Sequence, residues 1–254
     1  MQINLDAAWL LAFLLALVRA ASWMFLVPPF ALSKVIPPQG VVGIAAGLAL
    51  LEAPHLAASP GLPTDTASFI GALGIQMFTG LALGMAVRIL ISSFTMAGGI
   101  MTMFGGMALP PSVSVMDTSP TPLIGNFFEQ VSLLLLFTSG GVLLLVKGFM
   151  TSFDLPGLTL ASSGRVMSVL GAETATFFVA ALEIAAPVIA VLFVAQMIMA
   201  MIAKAAPQVN AWWLGLPFQV LLLLLLITFA IRTLPGYVEQ MVLRMLTGMS
   251  SLLR

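Results

Sequence analysis

The sequence contains little charge: only 7% of its 254 residues are Asp, Glu, Lys or Arg, whereas an ordinary soluble domain has about 25%. Nine basic and nine acidic residues balance to a formal net charge of zero and are scattered along the chain. A protein that binds nucleic acid concentrates Lys and Arg on one face to meet the phosphates. The absence of such a cluster argues against a nucleic acid partner.

Cysteine is absent, and the only histidine is His55. The first absence excludes disulfide bonds and a cysteine nucleophile, and a single histidine argues against a metal site built on imidazole ligands. The sequence has neither a Ser/His/Asp grouping in a polar setting nor the phosphate-binding motif GxxxxGK[ST]. Glu52 and His55 would share one helix face, which fits a wet helix end better than a proton relay or a metal. We predict no enzyme activity, no metal and no cofactor.

Apolar residues make up 61% of the chain and occur in long uncharged runs, such as 184–203 and 211–231. Because a helix rises about 1.5 Å per residue, an apolar run of about 20 residues spans the roughly 30 Å of hydrocarbon in a bilayer. The predicted fold class is therefore all-α, a polytopic helical membrane protein in contact with membrane lipid. The start of the chain carries Asp6 and no basic residue before its apolar run, which is not typical of a cleaved secretory signal.

About six long hydrophobic helices are predicted within a single domain, 1–254. Proline-rich and glycine-rich breaks set their approximate bounds at 5–27, 41–57, 66–104, 123–151, 165–203 and 211–250. The third would be about 60 Å long, roughly twice a bilayer, so we expect it to bend near Arg88 or not to be a simple transmembrane rod. Small-xxx-small pairs at Gly43 and Gly47, and at Gly80 and Gly84, are expected to let helices pack closely.

One connection between the predicted helices is unusually long. The segment GGMALPPSVSVMDTSPTP, residues 105–122, contains four prolines and has no helical periodicity. A structureless loop of this length is usually functional or disordered. Met101, Met103 and Met107 lie at its start, and their flexible side chains suit a surface that seals and rearranges as well as they suit ordinary core packing.

Four charged residues lie within or near apolar runs: Arg19, Arg88, Glu129 and Glu183. Each would cost about 2.5 to 3.5 kcal/mol at a lipid-facing helix centre, so most of them are expected to face protein, water or a lipid headgroup. Two interpretations stay open. The charges form an intramembrane path for ions or protons, or they pair with neighbouring helices or subunits.

The stretch PVIAVLFVAQMIMAMIAKAAPQVNAWWLGLPFQ, residues 187–219, resembles the FliR family of flagellar export-gate proteins. That family has a proline opening an apolar helix, then a basic residue, Ala-Pro-Gln, a small polar residue and a Gly-hydrophobic-Pro step. In this sequence the matching residues are Pro187, Lys204, Ala206, Pro207, Gln208, Asn210 and Gly215 to Pro217.

The similarity extends over nearly the whole chain. MAGGIMTMFGGM matches the family's glycine-rich approach to a central loop, and PPSVSVMDTSP matches that loop. Ser152, Phe153, Pro156 and Gly157 match a later turn. The departures are Gly99 where the family usually has Glu, Thr118 where it has Pro, and Ser139-Gly140-Gly141 where it has Asn-Gly-His.

LGLPFQ, residues 214–219, is more similar to the flagellar version than to the related virulence-secretion version, which tends to carry Lys just after the Pro. The resemblance implies a non-enzymatic subunit of the flagellar type III protein export gate, at the flagellar basal body in the bacterial inner (cytoplasmic) membrane. Its helices would form tilted helical hairpins in a multi-subunit pore that unfolded flagellar proteins cross. Its partners would be FliP, FliQ and FlhB type subunits.

Three alternative functions remain. The first is a gate subunit of a virulence (injectisome) type III secretion system. The second is a self-contained proton-coupled membrane transporter that uses the four charged residues above. The third is a structural scaffold that nucleates the ring without touching substrate.

The resemblance also implies two groups of site residues. Loop 105–122 would plug the pore, with apolar side chains that seal it and prolines that prevent a rigid helix. The predicted plug residues are Gly105, Gly106, Met107, Leu109, Pro110, Pro111, Val113, Val115, Met116, Asp117 and Pro120. The second group would form a subunit-contact loop: Lys204, Pro207, Gln208, Asn210 and Pro217.

Overall fold

The computed structural model describes residues 7–28, 30, 37–58, 62–63, 65–107, 123–153, 163–206 and 211–253. These described residues form helices and no strand. In chain order the helices are α1 (Ala7–Leu26), α2 (Pro38–Ala57), α3 (Thr66–Phe104), α4 (Leu123–Thr138), α5 (Gly141–Thr151), α6 (Ser163–Ala205) and α7 (Ala211–Leu253).

The predicted all-α class is confirmed. Within the described part of the chain, five helices are long and apolar enough to cross a membrane, or six if α4 and α5 together count as one span. The α3 helix runs over Thr66–Phe104, the predicted bounds, and contains 39 residues. At about 1.5 Å per residue it is about 58 Å long. The predicted bounds of α1, α2, α6 and α7 differ from those in the structure by three residues or fewer.

The prediction of one continuous helix over 123–151 is wrong. The helix is interrupted between Thr138 and Gly141, and the directions of α4 and α5 differ by 75°. Gly140 has a φ of +73°, in the left-handed region that glycine adopts without steric cost. One residue in this conformation ends α4, and α5 begins directly after it.

Residue contacts divide the chain into two compact units. Unit 1 consists of Met1–Leu90, Gly140–Thr174 and Val242–Arg254, and unit 2 consists of Ile91–Ser139 and Ala175–Met241. The single domain over 1–254 stays a prediction.

In unit 1, α1 packs against α2. The buried residues of α2 are Ala45, Ala49 and Ala53, which are spaced one helical turn apart and therefore form one face. Their small side chains allow close contact between helices. At Gly43 and Gly47, none of the described atoms lies within 4 Å of an added Cβ, so this pair has open space around it in the described part of the chain.

The other small-residue pair, Gly80 and Gly84, makes close contacts with α1. Gly80 on α3 lies against Ser22 and the carbonyl group of Arg19 on α1. One turn later, a Cβ added to Gly84 would lie 2.9 Å from the carbonyl oxygen of Trp23. The predicted close helix packing at Gly80 and Gly84 is therefore confirmed.

In unit 2, the second half of α3 packs against α4 through a pair of glycines. A Cβ added to Gly98 would lie 2.7 Å from both the Cα of Gly125 and the carbonyl oxygen of Ile124. Earlier on α3, the Ser93 hydroxyl donates a hydrogen bond of 3.5 Å to the sulfur of Met241 on α7. These contacts fix the part of α3 that leads to residues 105–107.

Candidate functional site

The α3 helix ends in a compact hydrogen-bonded turn at the start of the predicted plug loop. Gly106 has a φ of +72°, and the amide of Met107 donates a hydrogen bond of 3.2 Å to the carbonyl oxygen of Thr102. A left-handed glycine together with this bond is the Schellman motif, which satisfies carbonyl groups that the helix end leaves without partners. The glycines at 105 and 106 thus end α3 at a defined residue.

A side chain of α6 satisfies another carbonyl group at the same helix end. The Nε2 atom of Gln196 donates a hydrogen bond of 2.8 Å to the carbonyl oxygen of Phe104. Phe104 is the last residue of α3, so its carbonyl oxygen has no partner within the helix. Gln196 is half-buried and supplies that partner from a distant part of the chain.

The α7 helix covers the two glycines from another direction. A Cβ added to Gly106 would lie 2.9 Å from Oε1 of Gln219, and one added to Gly105 would overlap the side chain of Leu223. Gln219 and Leu223 are four residues apart and lie on the same face of α7. Gly105 leaves no room for a side chain next to Leu223, whereas glycine is favoured at position 106 by the positive φ.

We call this group the loop anchor. Its residues are Thr102, Phe104, Gly105, Gly106, Met107, Gln196, Gln219 and Leu223. The anchor is built from backbone groups, amide side chains and apolar side chains rather than from ionisable groups, so its chemistry is suited to holding the chain in place. It fixes the point at which the chain leaves α3.

The structure describes three of the predicted plug residues, Gly105, Gly106 and Met107, and places all three in the loop anchor. The other predicted plug residues lie outside the described residues: Leu109, Pro110, Pro111, Val113, Val115, Met116, Asp117 and Pro120.

The predicted subunit-contact loop is described only at its two sides. Lys204 is exposed near the end of α6, and Pro217 is exposed in the second turn of α7. A Cβ added to Gly215 would lie 3.0 Å from Cε of Met199, so α6 and α7 are in contact next to this loop. Three predicted residues lie outside the described part of the chain: Pro207, Gln208 and Asn210.

Arg19 is the most buried of the four charged residues that the sequence places in apolar runs, with 2% of its surface exposed. Its guanidinium group donates hydrogen bonds to Oε1 of Gln76 and to the carbonyl oxygen of Ser152, the latter at 2.8 Å. The group also lies 4.3 Å above the ring centre of Phe153. Arg19 faces protein, in agreement with the pairing interpretation.

The other three charged residues have different surroundings. Glu129 is half-buried and accepts a hydrogen bond of 3.1 Å from the hydroxyl group of Thr95. Arg88 and Glu183 have exposed side chains. Glu52 and His55 do share a helix face, with Oε2 and Nδ1 4.0 Å apart, and the described residues contain no group of three potential metal ligands.

Reasoning from the sequence missed the residues that complete the loop anchor and those that bind Arg19. Gln196, Gln219 and Leu223 belong to the loop anchor, and Gln76 accepts a hydrogen bond from Arg19. A glutamine inside an apolar helix is a usable signal, because its amide needs hydrogen-bond partners wherever water is excluded. Leu223 carries no signal, because it lies in a long run of leucines.

A protein family described as bacterial export proteins, family 1, matches residues 10–245. The chain is 25% identical to the flagellar biosynthetic protein FliR of Bacillus subtilis (strain 168) over 218 residues, which cover 82% of each chain. It is 20% identical to FliR of Pectobacterium carotovorum subsp. carotovorum over 239 residues, which cover 92% of this chain and 89% of the relative. The secretion system apparatus protein SsaT of Salmonella typhimurium is 22% identical over 160 residues, 62% of each chain.

Proposed function

The chain belongs to the family of bacterial export proteins, family 1, and from this membership we propose that it is a non-enzymatic subunit of the flagellar type III protein export gate. The resemblance to the FliR family is thereby confirmed. The observation that carries the proposal is the family match over residues 10–245, which reaches from α1 to α7. The chain is a membrane component of a type III export apparatus, since its relatives are export proteins and five of its helices are long and apolar enough to span a bilayer.

The extent of the matches favours the flagellar system over a virulence system. The flagellar relatives match 82% and 92% of this chain, whereas the secretion system apparatus protein SsaT matches 62%. We expect the chain to restore swimming in a flagellated bacterium that lacks its own FliR. Restoration of protein secretion only in a strain that lacks the virulence counterpart would support the alternative.

The proposed partners are FliP, FliQ and FlhB type subunits at the flagellar basal body in the bacterial inner membrane. Support comes from α6 and α7, whose large apolar side chains are exposed in the isolated chain and suit contact with other helices or with lipid. Examples are Phe193, Val194, Met197, Leu221, Leu225 and Phe229. Co-expression with these subunits, purification in mild detergent and identification by mass spectrometry tests this. Recovery of the chain free of all three would contradict it.

We further propose that loop 105–122 plugs the pore through which unfolded flagellar proteins cross the membrane. The loop anchor supports this proposal, because it fixes the chain at the start of the loop through contacts from two other helices. The sequence of the loop supports it as well. Met107, Leu109, Val113, Val115 and Met116 are apolar and suit a seal against water, and the prolines prevent a rigid helix.

The plug proposal is tested by ion leakage through the complete complex in liposomes. Replacement of 108–122 by a flexible Gly/Ser linker of the same length is expected to raise the leak, because the linker has no apolar side chain to exclude water. The matched control is the same replacement in the connection 154–162, which should leave the leak unchanged. A complete complex whose leak is unaffected by the 108–122 replacement would remove the plug assignment.

The subunit-contact loop, with Lys204, Pro207, Gln208, Asn210 and Pro217, is proposed to bind a neighbouring gate subunit. Gln208→Leu is expected to lower the yield of complex while the yield of folded chain stays the same, because leucine cannot hydrogen-bond to a backbone group of the neighbour. Gln240→Leu, at an exposed position of α7, is the matched control. A normal yield of complex with Gln208→Leu would contradict the contact.

The proton-coupled transporter gains no comparable support from the described residues. The hydrogen bonds of Arg19 to Gln76 and Ser152 join parts of the same unit, as expected for a residue that stabilises packing. The export function therefore stands as the proposal.

A further inference from the structure

The hydrogen bond from Gln196 to the last carbonyl group of α3 is a contact of 2.8 Å between residues 92 positions apart. We propose that Gln196 is a positioning residue that fixes the direction in which the chain leaves α3 and so limits the movement of Met107. The consequence of this for ion leakage rests on the proposed function of the loop.

The bond at the carbonyl group of Phe104 determines the direction in which the chain leaves α3. The Met107 amide bonds to Thr102 and the Gly105 amide bonds to Met101, so these bonds hold the turn to its own helix. The carbonyl group of Phe104 instead bonds to α6. This bond ties the turn to a second helix and restricts rotation of the turn about the axis of α3.

Gln196 is itself held firmly. Leu192 and Ala195, one turn before it and next to it on α6, are buried, with 0% and 6% of their surface exposed. A buried flank limits the movement of the α6 backbone, so the Gln196 amide group is presented to Phe104 from a fixed base. This is the condition under which a single hydrogen bond positions its partner.

The contacts from α7 restrict the turn sterically, whereas the hydrogen bond from Gln196 holds it by attraction. A Cβ added to Gly105 would overlap Leu223, and one added to Gly106 would lie 2.9 Å from Oε1 of Gln219, so these contacts are steric limits. A steric limit prevents approach and permits withdrawal, whereas a hydrogen bond weakens steeply as its angle departs from linearity. Loss of the Gln196 bond is therefore expected to let the turn move away from α7.

The test uses the absence of cysteine from this chain. Met107→Cys is introduced, the chain is assembled with its gate partners, and the rate of maleimide labelling of this chain is measured on a gel that separates the subunits. Gln196→Leu removes the donor, and Gln196→Met removes it while keeping an unbranched side chain. Gln130→Leu, at an exposed position of α4 in the same unit, is the matched control.

Labelling of Cys at position 107 is expected to be about tenfold faster with either Gln196 variant, which corresponds to about 1.4 kcal/mol, the size of one hydrogen bond. The control should label at the unaltered rate. Unchanged labelling in an assembled Gln196 variant would overturn the proposal. Failure of both variants to assemble while the control assembles would also overturn it, because Gln196 would then have a general structural role.

Ion leakage measured on the same preparations separates this proposal from the plug function. If the Gln196 variants label faster and the replacement of 108–122 causes no leak, Gln196 is a positioning residue and the plug function fails. If replacement of 108–122 causes a leak while the Gln196 variants label at the unaltered rate, the plug function stands and the positioning role fails.

Discussion

At position 19 a single arginine joins three separate parts of the chain. Its guanidinium group bonds to Gln76 on α3 and to Ser152 just after α5, and it lies above the ring of Phe153. The negative end of a helix dipole lies at the C-terminus, which favours a cation near Ser152. A charge that would be costly in lipid is thus accommodated by acceptors at several points around its planar group.

Replacement of Arg19 tests this role. We expect Arg19→Met to lower the free energy of unfolding by about 1 to 3 kcal/mol, because Gln76 and the Ser152 carbonyl group lose a buried donor. Arg19→Lys should recover only part of this loss, since an ammonium group cannot reproduce the planar contacts. Thermal unfolding of the detergent-solubilised chain measures the effect.

The control for Arg19 is Arg232→Met, which makes the same chemical change at an exposed position of α7. Its effect on thermal unfolding should be small. Equal destabilisation by the two replacements would show that the contacts of Arg19 do not stabilise the fold.

Among the helices, α3 shows how local sequence and packing act together. Its start is capped by Asp65, whose carboxylate accepts a hydrogen bond of 3.2 Å from the Ser68 amide, and its end is fixed at Gly106. Between these ends, Gly80 and Gly84 contact α1, whereas Gly71 and Gly74 have no described atom within 4 Å of an added Cβ. Glycines in one helix thus differ in role according to what lies next to them.

This difference predicts opposite effects of one substitution. Gly80→Ala should destabilise the chain by about 1 to 3 kcal/mol, because the methyl group would overlap the backbone of α1. Gly74→Ala should stabilise it by about 0.5 to 1 kcal/mol, because alanine loses less conformational freedom in a helix. Melting temperatures of both variants in the same detergent decide the matter, and a rise for Gly80→Ala would contradict the close approach.

The cap of α3 predicts a dependence on pH. Hydrogen bonds from the Ser68 side chain and backbone hold the pKa of Asp65 below its ordinary value of 3.8. A carboxyl group with a lowered pKa stabilises the folded state above its unfolded pKa, and this contribution is lost as the pH falls through the lower, folded pKa. Amide hydrogen exchange in the first turn of α3 should therefore lose protection below about pH 3.8.

The control is Asp65→Asn, because asparagine also caps helices but does not ionise in this range. Protection in this variant should be independent of pH between neutrality and pH 3. The same loss of protection in the variant and in the unaltered chain would assign the effect to other groups.

The whole molecule exposes much apolar surface when it is considered alone. Phe229, Leu221 and Trp213 on α7 have exposed side chains, and α6 has a similar set. A soluble monomer rarely exposes such patches, and a membrane protein covers them with lipid or with other subunits. Membership of an export family makes subunits of the same apparatus the expected partners for part of this surface.

If the chain forms a stable complex, its thermal stability should be measurably higher in that complex. A partner that binds only the folded state stabilises it by mass action. We expect the melting temperature of the chain to be higher in the co-purified complex than in the isolated chain, and to fall when the complex is diluted. The isolated chain in the same detergent serves as control, and its melting temperature should not change on dilution. Equal melting temperatures at all concentrations would contradict stable assembly.

The sequence by itself determined the class of the protein and most of its helices. Length and apolarity are enough to predict membrane helices, and the bounds of α3 follow from Thr66 after a turn and from the glycines at 105 and 106. The break at Gly140 was missed although Ser139-Gly140-Gly141 is a turn signal, because long apolar runs before Thr138 and after Gly141 suggest one continuous helix. One glycine in the left-handed conformation is enough to turn the chain.

Only the tertiary structure decided which residues complete the loop anchor and which residues bind Arg19. Gln196 and Phe104 are 92 residues apart, and Arg19 and Ser152 are 133 residues apart. Hydrophobic periodicity and turn signals report on neighbours within a few residues, and they carry no information about such pairs. The sequence places a glutamine or an arginine in an apolar helix and so requires a partner for it. The packing of the helices determines which group that partner is.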